Sequence, residues 1–215
     1  MFIWRIGSSF EPSHLDTTTM KRLAKIIIVS LAFIAADADA AKTLNFDLTP
    51  SQIVDGMNKN LFSIGHDSNT PIGHIGPLER TATKDNIEVY SAQYFGSFKD
   101  ITRIISFESN KNTKKTYEAS VSSISTSENP SAVFFSNITL FLTLIQALDP
   151  KGTTDKTRAN SGDVMNSIIN KLKYMKHGKI NVSKDNIKYE MQLSQSVAPV
   201  IGKMTTLEFD AKPLK

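Results

Sequence analysis

One stretch constrains the fold more than any other. Val133, Phe134, Phe135, Ile138, Leu140, Phe141, Leu142, Leu144, Ile145 and Leu148 lie between Asn129-Pro130 and Pro150-Lys151-Gly152, and they are apolar nearly all round a helix. A helix without a polar face has to be enclosed by other elements. Ser136, Asn137, Thr139, Thr143 and Gln146 interrupt it, and its length falls at the short end for a bilayer span. The stretch therefore predicts a central core helix over 130–148, with the rest of the chain layered around it.

The remaining elements follow from capping and periodicity. Thr49, Pro50 and Gln52 form a helix start, and Ile53, Met57, Leu61 and Ile64 repeat at helical spacing until Gly65. Val164, Ile168, Leu172 and Met175 mark a third helix, preceded by a polar linker over 151–160. Strands are predicted at 78–83, 87–95, 101–108, around Tyr117 to Val121, from Ile180, over 187–194 and around Leu207. Lys-Asp-Asn-Ile occurs at both 84–87 and 184–187, each time where a tight turn should join two strands. The expected class is α+β, an antiparallel sheet of about six to seven strands packed against three helices. The repeated turn suggests two diverged halves, 41–129 and 151–215, joined by the core helix.

Ahead of this domain, Met20-Lys21-Arg22-Leu23-Ala24-Lys25 is basic, Ile26 to Ala36 is apolar apart from Ser30, and Ala36-Asp37-Ala38-Asp39-Ala40 places small residues at alternate positions. This is the pattern of a secretory signal peptide over 20–40, cleaved after Ala38 or Ala40. Residues 1–19 then read as an upstream extension or a mis-assigned start, and 41–215 as a single domain. Removing residues 1–40 takes away four basic and four acidic side chains, so the net charge stays +4. The expected location is periplasmic or secreted, with membrane contact only in transit unless 20–40 is retained as a tether. The absence of cysteine excludes disulfides and lipid attachment at a cysteine.

The chemistry is sparse. There is no Gly-x-Ser-x-Gly elbow, His-Glu-x-x-His, phosphate loop or dinucleotide fingerprint, and no cofactor is expected. His66, Asp67 and His74 could ligate a metal, although their spacing matches no established motif. Tyr90, Tyr94, Phe98, Lys99 and Arg103 mix aromatic rings with positive charge on successive strands, a composition suited to contact with a protein or an envelope glycan. Strand residues Glu88, Glu108, Glu118, Glu190 and Glu208 could in principle supply a glycosidase pair, but alternation accounts for most of them as solvent-facing positions. A mild basic excess without clustering gives no nucleic-acid signature. The sequence thus leads to an exported, noncatalytic binding protein; an envelope hydrolase and a membrane-tethered envelope component are the alternatives.

Overall fold

The computed structural model describes residues 44–68, 72–96, 101–126, 130–149, 154–172, 178–198 and 202–214. The segment 20–40, its cleavage positions Ala38 and Ala40, and the stretch 1–19 lie outside the described residues, as do Phe98 and Lys99. In chain order the elements are α1 (Pro50–Ser68), β1 (His74–Ile75), β2 (Glu79–Lys84), β3 (Ile87–Phe95), β4 (Ile101–Asn110), β5 (Thr116–Ser125), α2 (Pro130–Ala147), α3 (Thr154–Leu172), β6 (Gly178–Lys184), β7 (Ile187–Ala198) and β8 (Gly202–Pro213). The class is α+β, as the patterning requires.

All described strand pairs are antiparallel, in the order β3-β4-β5-β8-β7-β6, and β1 and β2 both lie along the outer side of β3. The first run of strands builds inward from one edge and the second from the other, and they meet where β5 pairs with β8. The two Lys-Asp-Asn-Ile segments turn the hairpins at opposite edges. Asp85, Asp185 and Asn186 take positive φ there, a conformation that Asp and Asn tolerate better than most residues. In both turns the asparagine carbonyl accepts a backbone N–H from just beyond the neighbouring strand: Lys111 to Asn86 at 2.8 Å and Leu214 to Asn186 at 2.6 Å. Strand β5 has no counterpart in the second run.

The helices cover one face. α2 packs on β5 and β8 at the centre, with α1 and α3 on either side of it. Its Phe141 is fully buried and stacks on Phe209 of β8 at 4.7 Å, and Phe209 in turn stacks on Tyr189 of β7. No described helix is long and apolar enough to cross a membrane. At the start of α1 the predicted capping box forms: Thr49 N–H donates to Gln52 Oε1 at 2.9 Å and Gln52 N–H to Thr49 Oγ1 at 3.3 Å. Asn58 of α1 then holds β1 by a pair of hydrogen bonds to the Ile75 backbone. A Cβ at Gly73 would lie 1.8 Å from the Phe95 carbonyl oxygen, so only glycine lets the chain enter β1 so close to β3.

Two boundaries differ from expectation. α1 continues past Gly65 to Ser68, where Phe62 and His66, one turn apart, pack their rings together at 6.5 Å. The linker predicted over 151–160 is helical from Thr154. Its first turns hide from a hydrophobic pattern because the residues they bury are polar, Thr157 and Ser161, and the apolar stripe begins only at Val164.

Candidate binding site

The sheet sorts its charges by face. Glu108, Glu118, Glu190, Glu208 and Asp210 all lie on the face away from the helices, in the alternation expected of four of them. Register brings like charges opposite one another, Glu108 against Glu118 and Glu190 against Asp210. Burial pushes Glu118 up to about 7 despite its ion pair with Lys212 at 2.8 Å. Burial likewise raises Glu108, Glu208 and Asp210; the last also accepts a hydrogen bond from Ser120 Oγ at 2.7 Å. At Glu190 burial is again the largest influence, but bonds from Lys179 and Lys188 outweigh it and leave the group below its ordinary value.

This array predicts an unusual pH response. Glu118 has a folded pKa near 7 against 4.5 for an ordinary glutamate, so between those values the folded chain binds more protons than the unfolded one. Stability should therefore fall as pH rises from about 4.5 to 7. With its side chain 20% exposed, a discounted contribution of about 2 kcal/mol translates into a melting temperature some 4–8 °C higher at pH 5 than at pH 8. Thermal melts of the wild type and Glu118→Gln check this; an equally steep dependence in the variant would remove Glu118 as its source.

Glu88 departs from the alternation reading, because it faces the helix side with only 2% of its side chain exposed. Lys114 at 2.7 Å, the Tyr90 hydroxyl at 2.8 Å and Arg80 at 3.0 Å close around it and hold its pKa down at about 2. The sheet ends there, so lysine and arginine from neighbouring turns and strands reach over a carboxylate that mid-sheet packing would not tolerate.

Tyr90 is thus engaged with Glu88, whereas Tyr94 meets Arg103, its cross-strand neighbour, whose guanidinium lies 5.6 Å from the ring centre. Both point to the helix side. Arg103 is 1% exposed; its Nε donates to Asn137 Oδ1 of α2 at 2.7 Å, and the Ser123 hydroxyl donates to the same oxygen at 2.7 Å. Asn137 Nδ2 donates to the Val133 carbonyl. In the loop region, the exposed His66 packs on Phe62, and His74 stacks on Phe95 at 5.4 Å. The Asp67 side chain lies outside the described residues, and among those described no group of three or more is placed to hold a metal.

A different place brings polar groups together in a concavity. The turn between β6 and β7 leans against the end of α2 and the first turns of α3, leaving a crevice of about 220 Å³. Asp149, Lys156, Asn160, Lys184, Asp185 and Tyr189 contribute its polar lining. Asn160 Nδ2 donates to Asp185 Oδ2 at 2.6 Å, fixing the turn to α3, and Lys184 pairs with Asp163 at 3.2 Å. Ile145, Leu148 and Val164, all at least nine-tenths buried, form an apolar floor. Tyr189 is 3% exposed, and its hydroxyl has no hydrogen-bond partner among the described residues. Burial and then the charges of Asp185 and Asp149 push its phenol well up.

Sequence reasoning passed over this crevice. Tyr189 reads as one more apolar position of an alternating strand, and Asp149 and Asn160 as parts of a connection. The one available signal was the second Lys-Asp-Asn-Ile turn, which supplies Lys184 and Asp185. No protein-family model, curated protein or solved structure matches this chain.

Proposed function

We propose that the chain is an exported, noncatalytic binding protein whose ligand occupies the crevice beneath the β6–β7 turn. The observation that carries this reading is the Tyr189 hydroxyl, a polar group on a buried ring that meets no acceptor or donor among the described residues and lines the crevice. The hydroxyl is reached by solvent at the edge of a lined concavity, where a ligand can supply the partner that the neighbouring side chains do not. The bonds from Asn160 to Asp185 and from Lys184 to Asp163 hold the lining in place, as a preformed receptor requires. A protein partner, one of the two expected from composition, would need a broader surface than this crevice offers.

The test is ligand-observed NMR of the purified protein against defined mixtures of amino acids, monosaccharides and nucleosides, repeated with Asn160→Trp to fill the mouth. Signals seen with the wild type and lost in the variant, at unchanged melting temperature, support the reading. Identical responses from both proteins refute it. Export rests on the pattern over 20–40, and the expected product in a native host is a soluble species beginning at Asp39 or Ala41, read by intact mass. Retention of 20–40 in the membrane fraction would make it the tethered component instead.

A hydrolase is the second reading, favoured by one observation. Glu118, raised toward neutrality, shares a sheet face with Glu190, held low, which is the separation of acid and base roles that hydrolysis uses. Release of reducing ends from envelope glycans by the wild type, abolished in Glu118→Gln, would establish it in place of the binding function.

A further inference from the structure

We infer that the outer edge of β6 takes the C-terminal end of an extended peptide, in a second groove beside α3. That groove holds about 360 Å³. One wall is the α3 stripe Asp163, Asn166, Ser167 and Asn170, spaced to share a helix face, and the other is Val182, Ser183 and Lys184 of β6. Buried Val164 completes the lining.

The backbone along this edge is open. β6 and β7 join through the two-residue turn Asp185-Asn186, both at positive φ, which makes Lys184 and Ile187 a hydrogen-bonded pair. Counting back along the ladder, Val182 bonds to β7, while Ser183 and Asn181 turn their N–H and C=O groups outward. β6 ends the sheet on this side, and among the described residues the outward groups of Ser183 and the Asn181 N–H have no partner. Such an edge is a template for an added strand.

Lys171 selects a chain end over a through-running strand. Its ammonium donates to the Asn181 carbonyl and so occupies the acceptor that a longer strand would need. A peptide lying antiparallel to β6 and exchanging both bonds with Ser183 reaches Asn181 two residues later. If it ends there, its carboxylate accepts the Asn181 N–H and lies beside Lys171. That ammonium has no carboxylate partner among the described residues and has further N–H bonds to give. The one carboxylate in the lining, Asp163, is paired with Lys184 at 3.2 Å, about two turns of α3 away from Lys171. The penultimate peptide residue falls opposite Val182, on the helix side with Val164, so an apolar side chain suits it. Asn166 and Asn170, both exposed, offer amides to the peptide's outer edge.

The test probes the full chain with an array of hexapeptides that end in Val-Ser with a free carboxyl group and vary at the preceding positions. The strongest binders are then titrated in solution as free acids and as C-terminal amides. The amides should bind about tenfold more weakly, and Lys171→Met should weaken the free acids by a similar factor while Lys171→Arg retains them. Asn166→Trp should abolish binding at unchanged melting temperature, and the Ser183 and Asn181 amides should gain protection from hydrogen exchange when peptide is bound. Amides that bind as well as the acids overturn recognition of a chain end. Binding that survives Asn166→Trp, or that leaves the Ser183 amide unprotected, places the peptide elsewhere and overturns the site. An array without binders overturns both.

Discussion

Replacing Phe209 by alanine is expected to destabilise the protein by about 4 kcal/mol, the ordinary loss for a fully buried phenylalanine. The melting temperature should drop by about 8–16 °C at this chain length. Phe209 is the middle member of a three-ring stack, between Phe141 of α2 and Tyr189 of β7, so one truncation loosens the central helix and the adjacent strand together. Phe209→Leu, which keeps most of the volume, should lose less than half as much. Circular-dichroism melts of both variants test the claim, and a drop under about 4 °C for Phe209→Ala would mean that α2 is not anchored through this ring. The stack also supports the crevice, because Tyr189 carries its hydroxyl there, so Phe209→Leu should weaken any crevice ligand while preserving the fold.

Asn137→Leu is expected to lower stability by about 3 kcal/mol, although it places a better helix former in a central helix. The reason is what it strands. Asn137 Oδ1 receives both the Arg103 Nε–H and the Ser123 hydroxyl in a site where Arg103 is almost wholly buried, and a guanidinium does not deprotonate to escape an apolar neighbour. The double variant Arg103→Met with Asn137→Leu removes donor and acceptor together and should recover at least about 1 kcal/mol relative to the sum of the single changes. Strict additivity in denaturant titrations would show that the two side chains do not act as a unit. This network also bears on the aromatic and basic residues singled out in the sequence, because Tyr94 and Arg103 join β3 and β4 to α2 rather than facing away from the helices.

Fold class was legible because it depends on period and capping. The apolar run of α2, the alternation around Val121 and Met191, and the Thr49–Gln52 box are each local features, and packing agrees with them. Facing was legible for Glu108, Glu118, Glu190 and Glu208 for the same reason. Glu88 escaped because its environment is supplied from a distance, by Lys114 in the next turn but one and Arg80 on the facing strand. The crevice escaped more completely. Asp149, Asn160 and Tyr189 are ordinary residues in their local contexts, and only the docking of an edge hairpin on two helices sets them around one volume. The early part of α3 was missed because amphipathicity that buries Thr157 and Ser161 leaves no hydrophobic periodicity to detect.

The placement of β8 between β5 and β7 has a consequence for how the molecule comes into being. The strand that follows all other described strands in the chain is also the one that joins the two runs. Until residues 202–213 have been made, β5 and β7 each present an unpaired edge, and the α2 rings have no Phe209 to close upon. Strands β2 to β5 can pair in chain order and so can β6 with β7, but the two runs cannot join into one sheet before β8 lies between them. In a nascent chain the two runs stay unjoined until β8 arrives, and closing them needs the long-range pairing of β5 with β8, which favours slow folding and prolongs the period in which the chain can still be threaded or captured.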